Sequence, residues 1–437
     1  MSDPSRTRAA ALVGALATLV FPALAGPAAA EGAKPSETLA IVGARIYPAP
    51  DAPPIEDGVV IVRGGRIVRV GTRTGSAVPK DARVIDARGA SLTAGFWNSH
   101  VHLMPPDLLN AATAKAQVLQ GGLEAMLTRW GFTSVFDVAS STDNALALRR
   151  RISAGDVAGP MILTVGDPFF PKDGTPIYVR AYLKAYGMPD EEVATPQDAA
   201  ARAARQLDRG TDGVKVFAGA IVGGKVGVLP MRVDIAKAVV DEAHRHGKPA
   251  FAHPSNLAGI NVAIESGVDI LAHTTAASEG GAVDGPWTPQ LIARMRAHNM
   301  ALIPTLSLFD VEGTRGKAPR PAIESELQRV EGELRAYSAA GGQILFGTDV
   351  GYIDLFDTTE EFQLMSKVLS WRQILTSLTT APASRFGFAG HKGRIAPGMD
   401  ADLVLLDGDP ARDPTAFARV RDTIRSGRVI WGADRTP

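Results

Sequence analysis

The chain contains no cysteine in 437 residues, which excludes disulfides, thiolate metal ligands and a cysteine nucleophile. It also lacks net charge: 46 basic residues balance 46 acidic ones, and no basic stripe is present, so nucleic acid is not its main partner. Long apolar runs are missing apart from residues 9–24, which follow Arg6 and Arg8 and are too short and too rich in small residues for a stable membrane span. Small-x-small patterns follow at Ala23-Leu24-Ala25 and Ala28-Ala29-Ala30, so residues 1–30 read as a signal peptide. Ser5-Arg6-Thr7-Arg8 lacks the adjacent arginine pair of a twin-arginine signal. An exported chain without cysteine suits a bacterial periplasmic or secreted location. What the chain does have is a 45% apolar content, enough for a large core.

Short strands dominate both ends. Residues 38–47 and 59–70 read as strands, the second interrupted by the turn Arg63-Gly64-Gly65-Arg66. Near the other end, Ala401-Asp402-Leu403-Val404-Leu405-Leu406-Asp407 reads as a strand, and 421–431 holds a second turn at Arg425-Ser426-Gly427-Arg428. The two pieces predict a small β-sandwich domain built from 37–93 and 390–435.

Between them strands alternate with helices. Strands are predicted at 96–103, 133–138, 160–165, 213–217, 249–253, 270–273, 301–306 and 343–349, with helical patterns such as 233–246 and 289–298 after most of them. Eight such units within 94–389 place the chain in the α/β class and fit a (β/α)8 TIM barrel better than an open doubly wound sheet. Two long connections carry rim chemistry: 166–195 holds Phe169, Phe170, Tyr178 and Arg180, and 310–339 reads largely as one extra charged helix. Tyr178, Arg180 and Tyr352, which follows the last strand, are candidate substrate-binding residues; packing of the insertions is the plainer role for their aromatics.

The strand ends hold the most informative residues. In Gly95-Phe96-Trp97-Asn98-Ser99-His100-Val101-His102, strand alternation points His100 and His102 to one face, a half-site for a divalent metal. Lys215, His253, His273 and Asp349 each end, or nearly end, another apolar run, and barrel active sites lie at such carboxyl ends. His244, His246 and His298 sit instead near helix ends, where they suit the negative end of the dipole, and His391 begins the return to the sandwich.

As a set these residues resemble the amidohydrolase superfamily, and the segment from Gly393 through Ala396-Pro397-Gly398 to Asp407 is similar to that superfamily's return into its sandwich. The nearest subgroup resembles imidazolonepropionase-like and prolidase-like secreted hydrolases. Ala94 and Asn98 depart from the family's usual proline and aspartate. The resemblance implies two divalent ions, zinc given the nitrogen-rich set: His100, His102 and Asp349 on one, His253 and His273 on the other, and an N6-carboxylated Lys215 bridging them. A protonated ammonium beside a dication is repelled by several kcal/mol even at an effective dielectric of ~20, whereas a carbamate offers two anionic oxygens. The simpler alternative is an uncarboxylated Lys215 in an ion pair near a single metal.

The implied activity is hydrolysis of an amide bond in an N-acyl amino acid or dipeptide, a small-molecule substrate, with metal-activated water and Asp349 moving the proton. A lactonase or phosphotriesterase uses nearly the same ligands. A mononuclear, imidazolonepropionase-like cyclic-amide hydrolase or deaminase is the other alternative, but deaminases usually place a glutamate shortly after the strand-5 histidine, where this chain has His253-Pro254-Ser255-Asn256. A scaffold without metals would need none of the six ligand positions. Homo-oligomers are common for this fold.

Overall fold

Strands and helices alternate from Phe96 to Ala301 and beyond in the computed structural model, which describes residues 38–186, 191–275 and 285–433. The residues read as a signal peptide lie outside those described. Parallel strands Phe96–Val101, Phe132–Asp137 and Met161–Thr164 form one sheet. Val214–Phe217, Ala250–His253, Ile270–Ala272, Ala301–Ile303 and Gln343–Ile344 form a second, also parallel. All eight segments coincide with predicted strands. The first two are buried along their whole length, as expected of parallel strands covered on both faces.

Hydrogen bonds cross both gaps between these sheets. Asp212 N donates to Thr164 O (2.7 Å) on one side. On the other, Ser99 N donates to Phe346 O (2.7 Å), His102 N to Val350 O (2.8 Å) and Asp349 N to His100 O (3.0 Å). This close approach needs glycine: a Cβ on Gly351 would lie 1.8 Å from His102 O, and one on Gly347 2.7 Å from His100 Cβ.

The chain ends meet in one eight-stranded sheet. Leu403–Asp407 pairs antiparallel with Ala90–Ala94, joining the C-terminal strands to those from the first hundred residues. Leu39, Ile41, Val60, Leu92, Leu403, Leu405 and Ile424 share one core there. Both turns read from sequence are present, closing Arg63 on Arg66 and Arg425 on Arg428. Ala401 ties the two, donating to Gly65 O and accepting from Gly427 N, each at 2.9 Å.

Two predicted elements are corrected. The segment 310–339 is not one helix: Leu306–Arg315 and Arg320–Ala339 are separated where Lys317 turns left-handed (φ 55°) and Pro319 interrupts the chain. Leu306, predicted to end a strand, instead begins the first of these helices. Its N-terminus is held by Glu361, whose carboxylate accepts from Leu306 N (2.9 Å) and Ser307 N (2.7 Å). No described helix is long and apolar enough to cross a membrane.

Candidate active site

The alternation that buries these strands also delivers their last residues to one place. His100, His102, Lys215, His253, His273 and Asp349 all line a single cavity of about 1160 Å³ at the carboxyl ends of the parallel strands. Asp349 is the hub. Its Oδ1 lies 2.8 Å from His102 Nε2 and 3.0 Å from His100 Nε2, and its Oδ2 lies 3.9 Å from His273 Nε2. The His100 and His273 ring centres are 4.6 Å apart, and His253 follows 4.8 Å from His273. The backbone at His273 (φ 75°) and Asp349 (φ 60°) is left-handed, conformations kept where surrounding contacts over-determine them.

Groups behind the histidines set their tautomers. His102 Nδ1 is 2.8 Å from Ala139 O, which can only accept, so Nδ1 carries the proton. His273 Nδ1 is 2.7 Å from Thr305 Oγ1, whose own proton points to Pro304 O (2.8 Å). Both rings direct Nε2 toward Asp349, His102 at hydrogen-bonding distance. His100 is fully buried, and neither of its ring nitrogens makes a hydrogen bond of acceptable geometry.

Charge states follow from burial. Desolvation pushes His100 and His253 down to about 3 and His273 well below the ordinary histidine value, so all three are neutral near pH 7. Burial opposes ionisation of Asp349, but the neighbouring His100 and His273 outweigh it and hold the carboxyl well below its usual range. Ring nitrogens thus converge on an ionised carboxylate, a donor set that suits a divalent cation. The atoms of His100, His273 and Asp349 that could bind an ion lie within 4.8 Å of one another. Lys215 is 1% exposed, and burial pushes its ammonium down to about 8 despite the pull of Asp349 and Asp137.

Of the rim residues, Tyr178 and Tyr352 line the cavity with their rings 5.3 Å apart. Arg180 does not line it; it is exposed on the helix Ile177–Tyr186, in the field of Glu192. His244 pairs with Asp269 (2.9 Å) and His246 with Asp208 (3.3 Å), both away from the cavity.

Three supporting residues escaped the sequence reading. Asp137, fully buried at the end of the second parallel strand, accepts from Ser140 Oγ (2.5 Å), Thr164 Oγ1 (2.6 Å) and Leu103 N (3.3 Å), fixing the backbone next to His102. Its position at the end of an apolar strand was the available signal. Asn98 accepts from His100 N (3.2 Å) and donates to Thr348 Oγ1 (2.8 Å), tying the first ligand strand to the last. Thr305, behind His273, carried no sequence signal at all. After the strand-5 histidine, Ser255 donates to Gly219 O (2.9 Å) and Asn256 caps the helix Leu257–Ser266, so both are occupied structurally.

Residues 91–430 match the amidohydrolase family. A dihydroorotase of Anaeromyxobacter dehalogenans is 26% identical, over 91% of this chain and 95% of that protein. An ochratoxinase of Aspergillus niger is 22% identical over 88% of this chain and 86% of its own length. In fold, the chain is similar to a solved Xaa-Pro dipeptidase with methionine bound in its active site (TM-score 0.76, 22% identity, 91% of this chain and 100% of that one). The cluster of buried histidines around Asp349 and the family match agree: this chain belongs to the amidohydrolase family and is an enzyme acting on carbon–nitrogen bonds.

Proposed function

We propose that the chain is a metal-dependent hydrolase that cleaves the amide bond of an N-acyl amino acid or dipeptide at a binuclear centre. The observation that carries the reading is the convergence of Nε2 of His100, His102 and His273 on one ionised carboxylate, Asp349. His100, His102 and Asp349 would hold one ion, and His253 and His273 the other, with zinc favoured by the imidazole-rich set. Such ions supply Lewis acidity and an activated water near neutral pH. Lys215, whose burial favours the neutral amine, would take up carbon dioxide with loss of a proton, and its N6-carboxylate would offer oxygens to both ions. Asp349 takes a proton from the attacking water and delivers it to the departing nitrogen. Ser255 and Asn256, being structurally engaged, leave no glutamate shuttle of the deaminase kind.

The same reading treats 94–389 as a (β/α)8 barrel, supported by hydrogen bonds across both gaps between the parallel sheets. It treats 37–93 with 390–435 as a β-sandwich, supported by their common sheet and core. Export to the periplasm or beyond and self-association complete it. The experiment is amine release from N-acyl amino acids and dipeptides by protein prepared with zinc and bicarbonate. Hydrolysis of lactones or phosphotriesters with no amide turnover would replace the proposed reaction.

A further inference from the structure

Thr275, two residues past His273, is gripped by the helix Arg320–Ala339 through every polar atom it has. Thr275 and Glu333 are both buried. Glu333 Oε2 accepts from Thr275 N (3.0 Å), and its Oε1 accepts from Thr275 Oγ1 (2.6 Å). Arg329 donates through Nη1 to Thr275 Oγ1 (3.0 Å) and through Nη2 to Thr275 O. Trp287 Nε1 also donates to Thr275 Oγ1 (3.3 Å), so the hydroxyl gives its one proton and fills both lone pairs. Arg329 is itself fixed, with Nη1 on Glu333 Oε1 (2.6 Å) and Nε and Nη2 on Glu326 (3.0 and 2.5 Å).

His273 is where the chain needs holding. The strand Ile270–Ala272 ends just before it, and its backbone is left-handed (φ 75°), a conformation kept only where the surroundings impose it. On one side His273 N donates to Ile303 O (2.8 Å), and on the other the contacts of Thr275 close the bracket. The same helix has a second anchor of a different kind. Tyr337 Oη donates to Met300 O (2.5 Å), at the amino end of the strand Ala301–Ile303 and so away from the cavity. Arg329 and Glu326, by contrast, line the cavity.

We infer that Glu333 and Arg329 are positioning residues for the metal centre, acting through Thr275 on His273. The helix that walls the cavity thereby also sets the affinity for the ion that His273 holds. This rests on the metal-dependent reading above. The test is zinc binding to metal-free protein, read by competition with a chromophoric chelator, beside thermal unfolding of the same samples. Thr275→Val and Glu333→Gln should each weaken zinc binding roughly fivefold or more, somewhat less than loss of a partner that touches the ligand ring itself. Thr275→Ser keeps the hydroxyl and should bind zinc like the wild type. Tyr337→Phe removes the other anchor and should lower the unfolding temperature with zinc affinity unchanged. If Thr275→Val and Glu333→Gln behave as Tyr337→Phe does, less stable but equally tight for zinc, the inference is overturned and the metal-dependent reading stands. Wild-type protein that binds no zinc overturns that reading and the inference with it. Zinc binding weakened in both variants, with no amide turnover by the wild type, overturns the proposed reaction and leaves the inference standing.

Discussion

His102 stands between Ala139 and Asp349: its Nδ1 is 2.8 Å from Ala139 O and its Nε2 is 2.8 Å from Asp349 Oδ1. His273 repeats the device with a side chain, Thr305, in place of the carbonyl. Because this partner is a side chain, substitution can remove it. Thr305→Val keeps the shape and β-branching but deletes the acceptor. Zinc affinity, read by competition with a chromophoric chelator, should fall by roughly 10–100-fold, the usual weight of an orienting partner. Unchanged affinity would mean that His273 is oriented by packing alone.

Asp349→Asn separates metal assembly from proton transfer. The amide keeps one oxygen ligand but takes no proton at neutral pH. Bound metal should largely persist while turnover falls by on the order of 10² or more. His100→Ala, by contrast, should lose metal and activity together. Substrates with a good leaving group should suffer less in Asp349→Asn than those with a poor amine. Equal losses would confine Asp349 to holding the ion and water, and full activity would remove it from the reaction.

Lys215→Ala should lose most activity and regain part of it with added short carboxylic acids, which can fill the bridging space. Lys215→Arg should show no such rescue, since a guanidinium keeps its charge and forms no carbamate. Near-normal rate and metal content in Lys215→Arg would exclude the bridge.

Glu361 should make stability depend on pH. Burial raises its carboxyl from 4.5 to about 7, outweighing the hydrogen bonds from Leu306 N and Ser307 N. Between those values the folded protein binds the proton and the unfolded chain does not. Its contribution is therefore complete below pH 4.5 and is lost as pH rises to about 7, amounting to about 3 kcal/mol at ~1.4 kcal/mol per pK unit. Glu361→Gln lacks this dependence, so the stability gap between wild type and variant should shift by about that amount between pH 4.5 and 8. Urea denaturation at several pH values measures it, and parallel curves would contradict it.

The strand ends bearing His100, Lys215, His253 and His273 are legible because each closes a short apolar run whose period is fixed by the backbone. The last strand is less so. Only Gln343–Ile344 is regular, and Asp349 reaches the site through an irregular stretch ending in left-handed backbone. The break at Lys317 and Pro319 is written in turn residues, but the charge pattern on either side reads as continuous helix. Asp137, Asn98 and Thr305 act through hydrogen bonds to partners distant in sequence, such as Thr348 and His273, and no local pattern announces them. Arg180 reads as a rim cation but faces away, because the turn of its helix, not its loop of origin, decides which side chains see the cavity.

Metal stoichiometry tests the binuclear centre most directly. Protein purified with zinc and bicarbonate, then assayed by elemental analysis, should carry about two divalent ions per chain, falling when bicarbonate is withheld or when Lys215 is replaced by alanine. One ion per chain, indifferent to bicarbonate and to Lys215, would contradict it.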